Sequence, residues 1–195
     1  MTDNEIIEVL RKELKPGRFK HTIGVMETAV KLAEHYNCDQ EKAKIAGLLH
    51  DCAKCLPPEE TIRLCRKNGV EIQAVEYENP GLLHAKAGAL LARNIYHVED
   101  EDILHAILVH TTGQPNMSML DKIIFTADYI EPGRNQAPRL DYLRKMAFEN
   151  LDYAVAEILR DTLNYLKEKR VIIDTATKDT FNFYSKYLVG KDEEK

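Results

Sequence analysis

Six residues spread over the first two-thirds of the chain, His21, His50, Asp51, His84, His110 and Asp128, form a donor set that a helical core does not require. At its centre, the run Ala46-Gly47-Leu48-Leu49-His50-Asp51 sets an imidazole beside a carboxylate at the end of an apolar helix. The pair offers one nitrogen and one oxygen to a divalent cation, and both groups cost free energy if buried without a partner. His21, His50, His110 and Asp128 each occupy a position that the helical period assigns to the buried stripe. Metal sites in bundles are built from inward side chains of this kind on facing helices. Any one of these histidines alone reads as a hydrogen-bonded core residue. Together with two carboxylates, the set favours a metal.

Asp51 stands about 100° around an ideal helix from His50, so both reach one ion only if the helix frays or tightens there. A carboxylate at a helix C terminus opposes the macrodipole, and a cation explains its position better. Asp121, near a helix start, is stabilised by the dipole and is set aside. His35, His97 and His105 read as surface or rim residues.

The elements that must position this set are helices. Apolar residues recur at helical spacing and period-two alternation is absent, which predicts an all-α bundle. Helices are expected over 4–14, capped by Thr2 or Asp3 and stopped by Pro16-Gly17, and over 19–36 and 40–53. Pro57-Pro58 opens a further helix over 59–67, closed by Asn68-Gly69. Helices over 82–96, 99–109 and 118–130 follow, the last stopped by Glu131-Pro132-Gly133; two more follow Pro138 and Leu151, and a last spans 177–188. The short β-branched run 169–175 reads as a buried connector. No repeat, linker or low-complexity segment interrupts the chain, so residues 1–190 are expected to form one domain, with the charged tail 191–195 frayed.

The chain has 195 residues, enough for one sizeable core. Its 44% apolar and 30% charged residues suit a soluble fold, and the net charge of -5 argues against nucleic acid or a membrane surface as partner. With neither a basic, apolar leader at Met1-Thr2-Asp3-Asn4-Glu5 nor a long apolar run, a cytoplasmic location is expected. Cys52 and Cys55 form a lone C-x-x-C with no second pair and no preceding strand, and with Cys38 and Cys65 they read as reduced thiols.

The segments around these ligands carry a resemblance. They are Arg18-Phe19-Lys20-His21-Thr22-Ile23-Gly24-Val25, Gly47-Leu48-Leu49-His50-Asp51-Cys52-Ala53-Lys54, His84-Ala85-Lys86-Ala87-Gly88-Ala89, His110-Thr111-Thr112-Gly113 and Ala127-Asp128-Tyr129-Ile130-Glu131-Pro132-Gly133-Arg134. In this order they resemble the HD-domain phosphohydrolases, and more narrowly the YqeK-type symmetrical diadenosine tetraphosphate hydrolases, over almost the whole chain. The resemblance implies that His21, His50, Asp51 and Asp128 hold a first metal, expected to be iron. It assigns His84 and His110 to a second ion or to phosphate, with either one a candidate general acid. The donor types alone suit iron, manganese, zinc or cobalt better than calcium. Cys52 and Cys55 beside the ligand pair are a departure, and an oxidisable thiol there would make the site redox-sensitive.

A metal-activated water would hydrolyse a phosphate bond, and a polyphosphate needs further positive charge. Arg18, Lys54 and Arg134 are the main candidates and Arg139 a weaker one. Thr111 offers a hydroxyl or an amide to phosphate. By resemblance the segment Arg170-Val171-Ile172 lies against the nucleoside. The implied reaction is diadenosine tetraphosphate plus water giving two ADP. The alternatives are an HD phosphohydrolase acting on a deoxynucleotide, cyclic nucleotide or alarmone, and a non-catalytic nucleotide-binding module. A homodimer is compatible with the flat helix faces of such folds.

Overall fold

The computed structural model describes residues 1–188, and the 191–195 tail lies outside them. Eleven α-helices occur among the described residues, with no strand. They are α1 (Asp3–Glu13), α2 (Pro16–His35), α3 (Gln40–Leu49), α4 (Pro58–Lys67), α5 (Ala74–Glu78), α6 (His84–Asn94), α7 (Glu101–Val109), α8 (Met119–Ile130), α9 (Leu140–Glu149), α10 (Leu151–Glu168) and α11 (Thr175–Tyr184). Short 3₁₀ turns cover Pro80–Leu83 and Ser185–Tyr187. No helix among the described residues is long and apolar enough to cross a membrane.

Local chemistry explains the helix starts. Thr2 and Glu5 form a capping box on α1, Ser118 and Asp121 another on α8, and Asp39, Asp100, Asn150 and Asp174 accept the first free amides of α3, α7, α10 and α11. Pro16 and Pro58 sit in the opening turns of α2 and α4, where their missing N–H costs nothing. Pro16 therefore begins α2 three residues before the expected start, as well as ending α1.

Four helices form the frame of the site. α2 packs on α3 and α8, and α7 lies against α3, α6 and α8. Val25, Ala29 and Leu32 of α2, Ala46, Leu48 and Leu49 of α3, Ile103, Ala106 and Ile107 of α7, and Ile123, Ile124 and Ala127 of α8 fill the shared core. α10 closes the far side against α8, α9 and α11. A smaller cluster of Ala53, Cys65, Leu83 and Ala87 fastens α4 to α6.

The expected pattern needs three corrections. α3 ends at Leu49 rather than near residue 53, and the chain continues through tight turns with Cys52 N–H donating to Leu49 O, Lys54 to Asp51 and Leu56 to Ala53. α5 and the Pro80–Leu83 turn are too short to register as periodicity. The connector after α10 is not buried: Arg170 adopts a left-handed conformation at φ 54°, and Val171 and Ile172 are 43% and 63% exposed. The left-handed residue ends the helix and turns the following side chains outward.

Candidate metal centre and active site

Three of the four site histidines are held by one local device. His50 Nδ1–H donates to Gly47 O at 2.7 Å, His84 Nδ1–H to Gly81 O at 2.6 Å and His110 Nδ1–H to Ile107 O at 2.7 Å. Each acceptor lies three residues upstream, where a helix or 3₁₀ turn is ending or beginning. A carbonyl can only accept, so the proton is fixed on Nδ1 and Nε2 carries the free lone pair. His21 reaches the same state differently: its Nδ1 lies 3.1 Å from Glu131 Oε1.

All four Nε2 atoms converge on Asp51 and Asp128. Asp51 Oδ2 is 3.9 Å from His21 Nε2 and 3.5 Å from His50 Nε2, while its Oδ1 is 3.2 Å from His84 Nε2 and 3.7 Å from His110 Nε2. Asp128 Oδ1 lies 3.0 Å from His21 Nε2 and 4.0 Å from His50 Nε2. The early end of α3 is what lets adjacent residues His50 and Asp51 face one point. His21, His50 and Asp51 form one ligand group and Asp51, His84 and His110 a second, with ligand atoms within 4.8 Å of one another in each. Asp51 is the shared member.

A cation fits this cradle on structural grounds. His21 Nε2, His50 Nε2 and Asp51 Oδ1 are buried without a hydrogen-bond partner, and unpaired buried acceptors cost free energy unless something positive meets them. The Nδ1 partners are the outer contacts that orient metal-ligating imidazoles. Burial pushes the Asp51 carboxyl up, but the surrounding imidazoles, His50 first and then His110 and His84, overcome this and hold it well below the usual range. Asp128 is likewise held ionised: burial opposes it, and His21, His50 and Arg134 prevail. Burial lowers the His84 pKa, so that ring is favoured neutral.

The cations line the same opening. Arg18 Nη1 donates to Asp51 Oδ2 at 2.6 Å, and Arg134 donates from Nη2 to Asp128 Oδ1 at 2.9 Å and from Nε to the Asp128 carbonyl at 3.0 Å. Lys54 Nζ stands 3.1 Å from His84 Nε2 and 4.0 Å from Asp51 Oδ1. Burial, with help from Arg18 and Arg134, lowers its pKa. The Thr111 hydroxyl is 3.1 Å from His84 Nε2 and 3.2 Å from His110 Nε2.

Four expected substrate contacts are not brought into this cluster. Arg139 donates to Glu157 Oε2 at 2.7 Å and Asp161 Oδ1 at 2.6 Å on α10, because its position at the start of α9 faces those acids. Arg170, Val171 and Ile172 sit on the exposed turn after α10, where the Arg170 and Val171 N–H groups donate locally to Lys167 O and Leu166 O. Of the residues set aside, Asp121 closes the α8 capping box and accepts from His105 Nδ1 at 2.9 Å, and His35 packs edge-on against Tyr36 and Phe148. All four cysteines are free thiols. Burial, reinforced by Asp51, pushes the Cys52 thiol up to about 12, which removes the thiolate that oxidation requires.

Glu131 is the functional residue that sequence reasoning missed. It is 3% exposed, binds His21 Nδ1, and accepts from the Gly133 amide at 2.5 Å. Gly24 is required opposite it, since a Cβ there would lie 2.5 Å from Glu131 Oε2. The signal was present in Glu131-Pro132-Gly133-Arg134, but only as a motif. Glu131→Gln keeps an acceptor for His21 and is expected to weaken metal binding by about 10-fold, and Glu131→Ala by about 100-fold. Competition with a chromogenic chelator measures both; unchanged affinity in Glu131→Ala would refute the role.

The pH response of metal binding has a definite sign. Burial lowers the His21 pKa, but Asp128, Glu131 and Asp51 outweigh it, and the net value is raised above 6.5. In the metal-free protein this proton contributes stability below the unfolded value of about 6.5 that is lost as pH rises through the folded value. An entering cation must displace the proton, so affinity is expected to climb by up to about tenfold per pH unit as pH rises from 6 through the His21 pKa. Titration calorimetry at pH 6, 7 and 8 checks this, and a flat profile would count against His21 as a ligand.

A helical bundle with an imidazole–carboxylate cradle at one end defines a class, the helical metal-dependent hydrolases. The HD domain family model matches residues 18–133, and the chain belongs to that family. A symmetrical bis(5′-nucleosyl)-tetraphosphatase of Halalkalibacterium halodurans is 42% identical over 93% of this chain and 96% of the relative. Its namesake in Bacillus subtilis is 38% identical over 94% of this chain and 97% of the relative. A crystal structure from Clostridium acetobutylicum, described as a predicted HD superfamily hydrolase involved in NAD metabolism, superposes with a TM-score of 0.92 at 44% identity. That match covers 96% of this chain and 98% of the other.

Proposed function

We propose that this chain hydrolyses diadenosine tetraphosphate symmetrically to two ADP, at a centre in which His21, His50, Asp51 and Asp128 hold a divalent metal, with iron as its native ion. The observation that carries the reading is Asp51, whose two oxygens face two pairs of imidazole Nε2 atoms at 3.2–3.9 Å. A divalent ion held by these residues would supply a water that ionises near neutral pH and would neutralise charge on a phosphoryl oxygen.

The chain's own groups do the rest. Arg18 and Lys54 on one side and Arg134 on the other clamp the polyphosphate across the ligand set, which fixes the central bridge as the bond cleaved. The His84 ring, favoured neutral by burial, suits an ion ligand or proton acceptor at Nε2 better than a general acid; His110 Nε2, 3.1 Å away, is its partner. Thr111 offers its hydroxyl to a phosphate oxygen. Exposed Ile172 packs on one nucleoside, beside the backbone of Arg170 and Val171.

The test combines metal analysis of anaerobically purified protein with chromatography of the products. ADP alone, from iron-loaded enzyme, is expected. AMP plus ATP would refute symmetrical cleavage, and faster phosphate release from a mononucleotide would move the assignment to another nucleotide.

A further inference from the structure

A cavity of about 660 Å³ opens between α8, the 136–138 turn and α10, lined by Tyr129, Gln136, Pro138, Asp161, Asn164 and Tyr165. Its volume suits a nucleoside or small cofactor. It joins the centre through one side chain. The Arg134 guanidinium bonds Asp128 Oδ1 at 2.9 Å and stands 5.6 Å over the Tyr129 ring, so the wall of the cavity is one guanidinium's width from the ligand set.

We propose that this cavity is a nucleoside subsite, taking one of the two adenosine ends of the substrate while the polyphosphate stops at Arg134. The inference rests on the reaction proposed above, whose substrate has a nucleoside at each end, so two nucleoside seats are required, and both candidates lie toward the C-terminal turns of α10, where Glu168 lines the cavity and Arg170 opens the 170–172 segment. The 170–172 segment serves one end, and this cavity serves the other.

The lining selects that ligand class. Asp161 and Glu168 at the cavity repel phosphate, which the cations nearer the centre attract instead. A neutral heterocycle enters freely. Tyr129 and Tyr165 line the cavity with aromatic rings, each with a cation over one face, Arg134 and Lys169 respectively, and a base stacks on the other face of such a ring. Gln136 and Asn164 carry both donors and acceptors for a base edge. Asp161 is braced by Arg139 at Oδ1, while its Oδ2 is buried with no hydrogen-bond partner. A ligand amine or sugar hydroxyl would satisfy that oxygen. Arg139 thus acts on the substrate through Asp161, as a positioning residue.

Tyr165 is 56% exposed, so its replacement leaves the core intact. In the metal-loaded enzyme, Tyr165→Ala is expected to raise KM for diadenosine tetraphosphate about tenfold with kcat within about twofold, while Tyr165→Phe retains the wild-type KM. Photolabelling with 8-azido-ADP should modify the 129–138 or 161–168 peptides and be blocked by the dinucleotide. Wild-type enzyme that cleaves the dinucleotide while Tyr165→Ala leaves KM unchanged would overturn the subsite and leave the reaction standing. If wild-type enzyme fails to cleave the dinucleotide, the reaction is refuted, and the subsite then stands or falls on whether the label appears in those peptides.

Discussion

Asp51→Asn lowers kcat/KM for diadenosine tetraphosphate by about three orders of magnitude or more, a loss of ~4 kcal/mol in transition-state stabilisation. The amide matches the carboxylate in shape, so the helical signal in circular dichroism stays at the wild-type level. What disappears is the negative charge that four imidazoles and Arg18 surround. Asp51 is also the one residue common to both ligand groups, so the substitution weakens both at once. His50→Ala removes a fully buried ring and gives a comparable loss. Metal content by mass spectrometry should fall together with activity. Activity within tenfold of wild type in metal-loaded Asp51→Asn would remove the carboxylate from the mechanism.

Gly47→Val damages the site through the backbone. A Cβ at Gly47 would lie 2.9 Å from Met26 Cα and 3.3 Å from Met26 N, and backbone atoms cannot rotate aside. The bulkier side chain forces α2 and α3 apart, at a cost of about 2–3 kcal/mol, a typical value for overpacking. For a chain of this size that is a fall of about 5–10 °C in Tm. The same two helices carry His21 and His50, whose rings meet edge-on with centroids 5.4 Å apart. Gly47 is moreover the carbonyl that fixes the His50 proton. Metal affinity should therefore fall alongside Tm, whereas a loss of Tm with unchanged affinity would show that the helix spacing and the ligand geometry are independent.

The all-α class and most helices were legible because periodicity and capping residues are local signals. The candidate set was legible as a group for a related reason: its members fall on the inward stripe near helix ends, and the structure brings them together there. Asp51 was harder, since its direction depends on α3 stopping at Leu49 and not on helical phase. Glu131 was not legible as a partner, because His21 lies 110 residues away in sequence and no periodicity reports such a pairing. Arg139 misled by nearness along the chain to Arg134, although its helix start faces Glu157 and Asp161. The β-branched run at 171–173 misled in the same way, since its exposure follows from the left-handed Arg170 and not from composition.

The three Nδ1-to-carbonyl bonds have a thermodynamic consequence. Each ring is oriented by its own turn, so the rotational freedom of three site imidazoles is surrendered when the helices form, well before any ion arrives. Capture of the ion then requires little ordering of the protein, and its intrinsic affinity is not diluted by a conformational cost. The orientation of these rings belongs to the backbone.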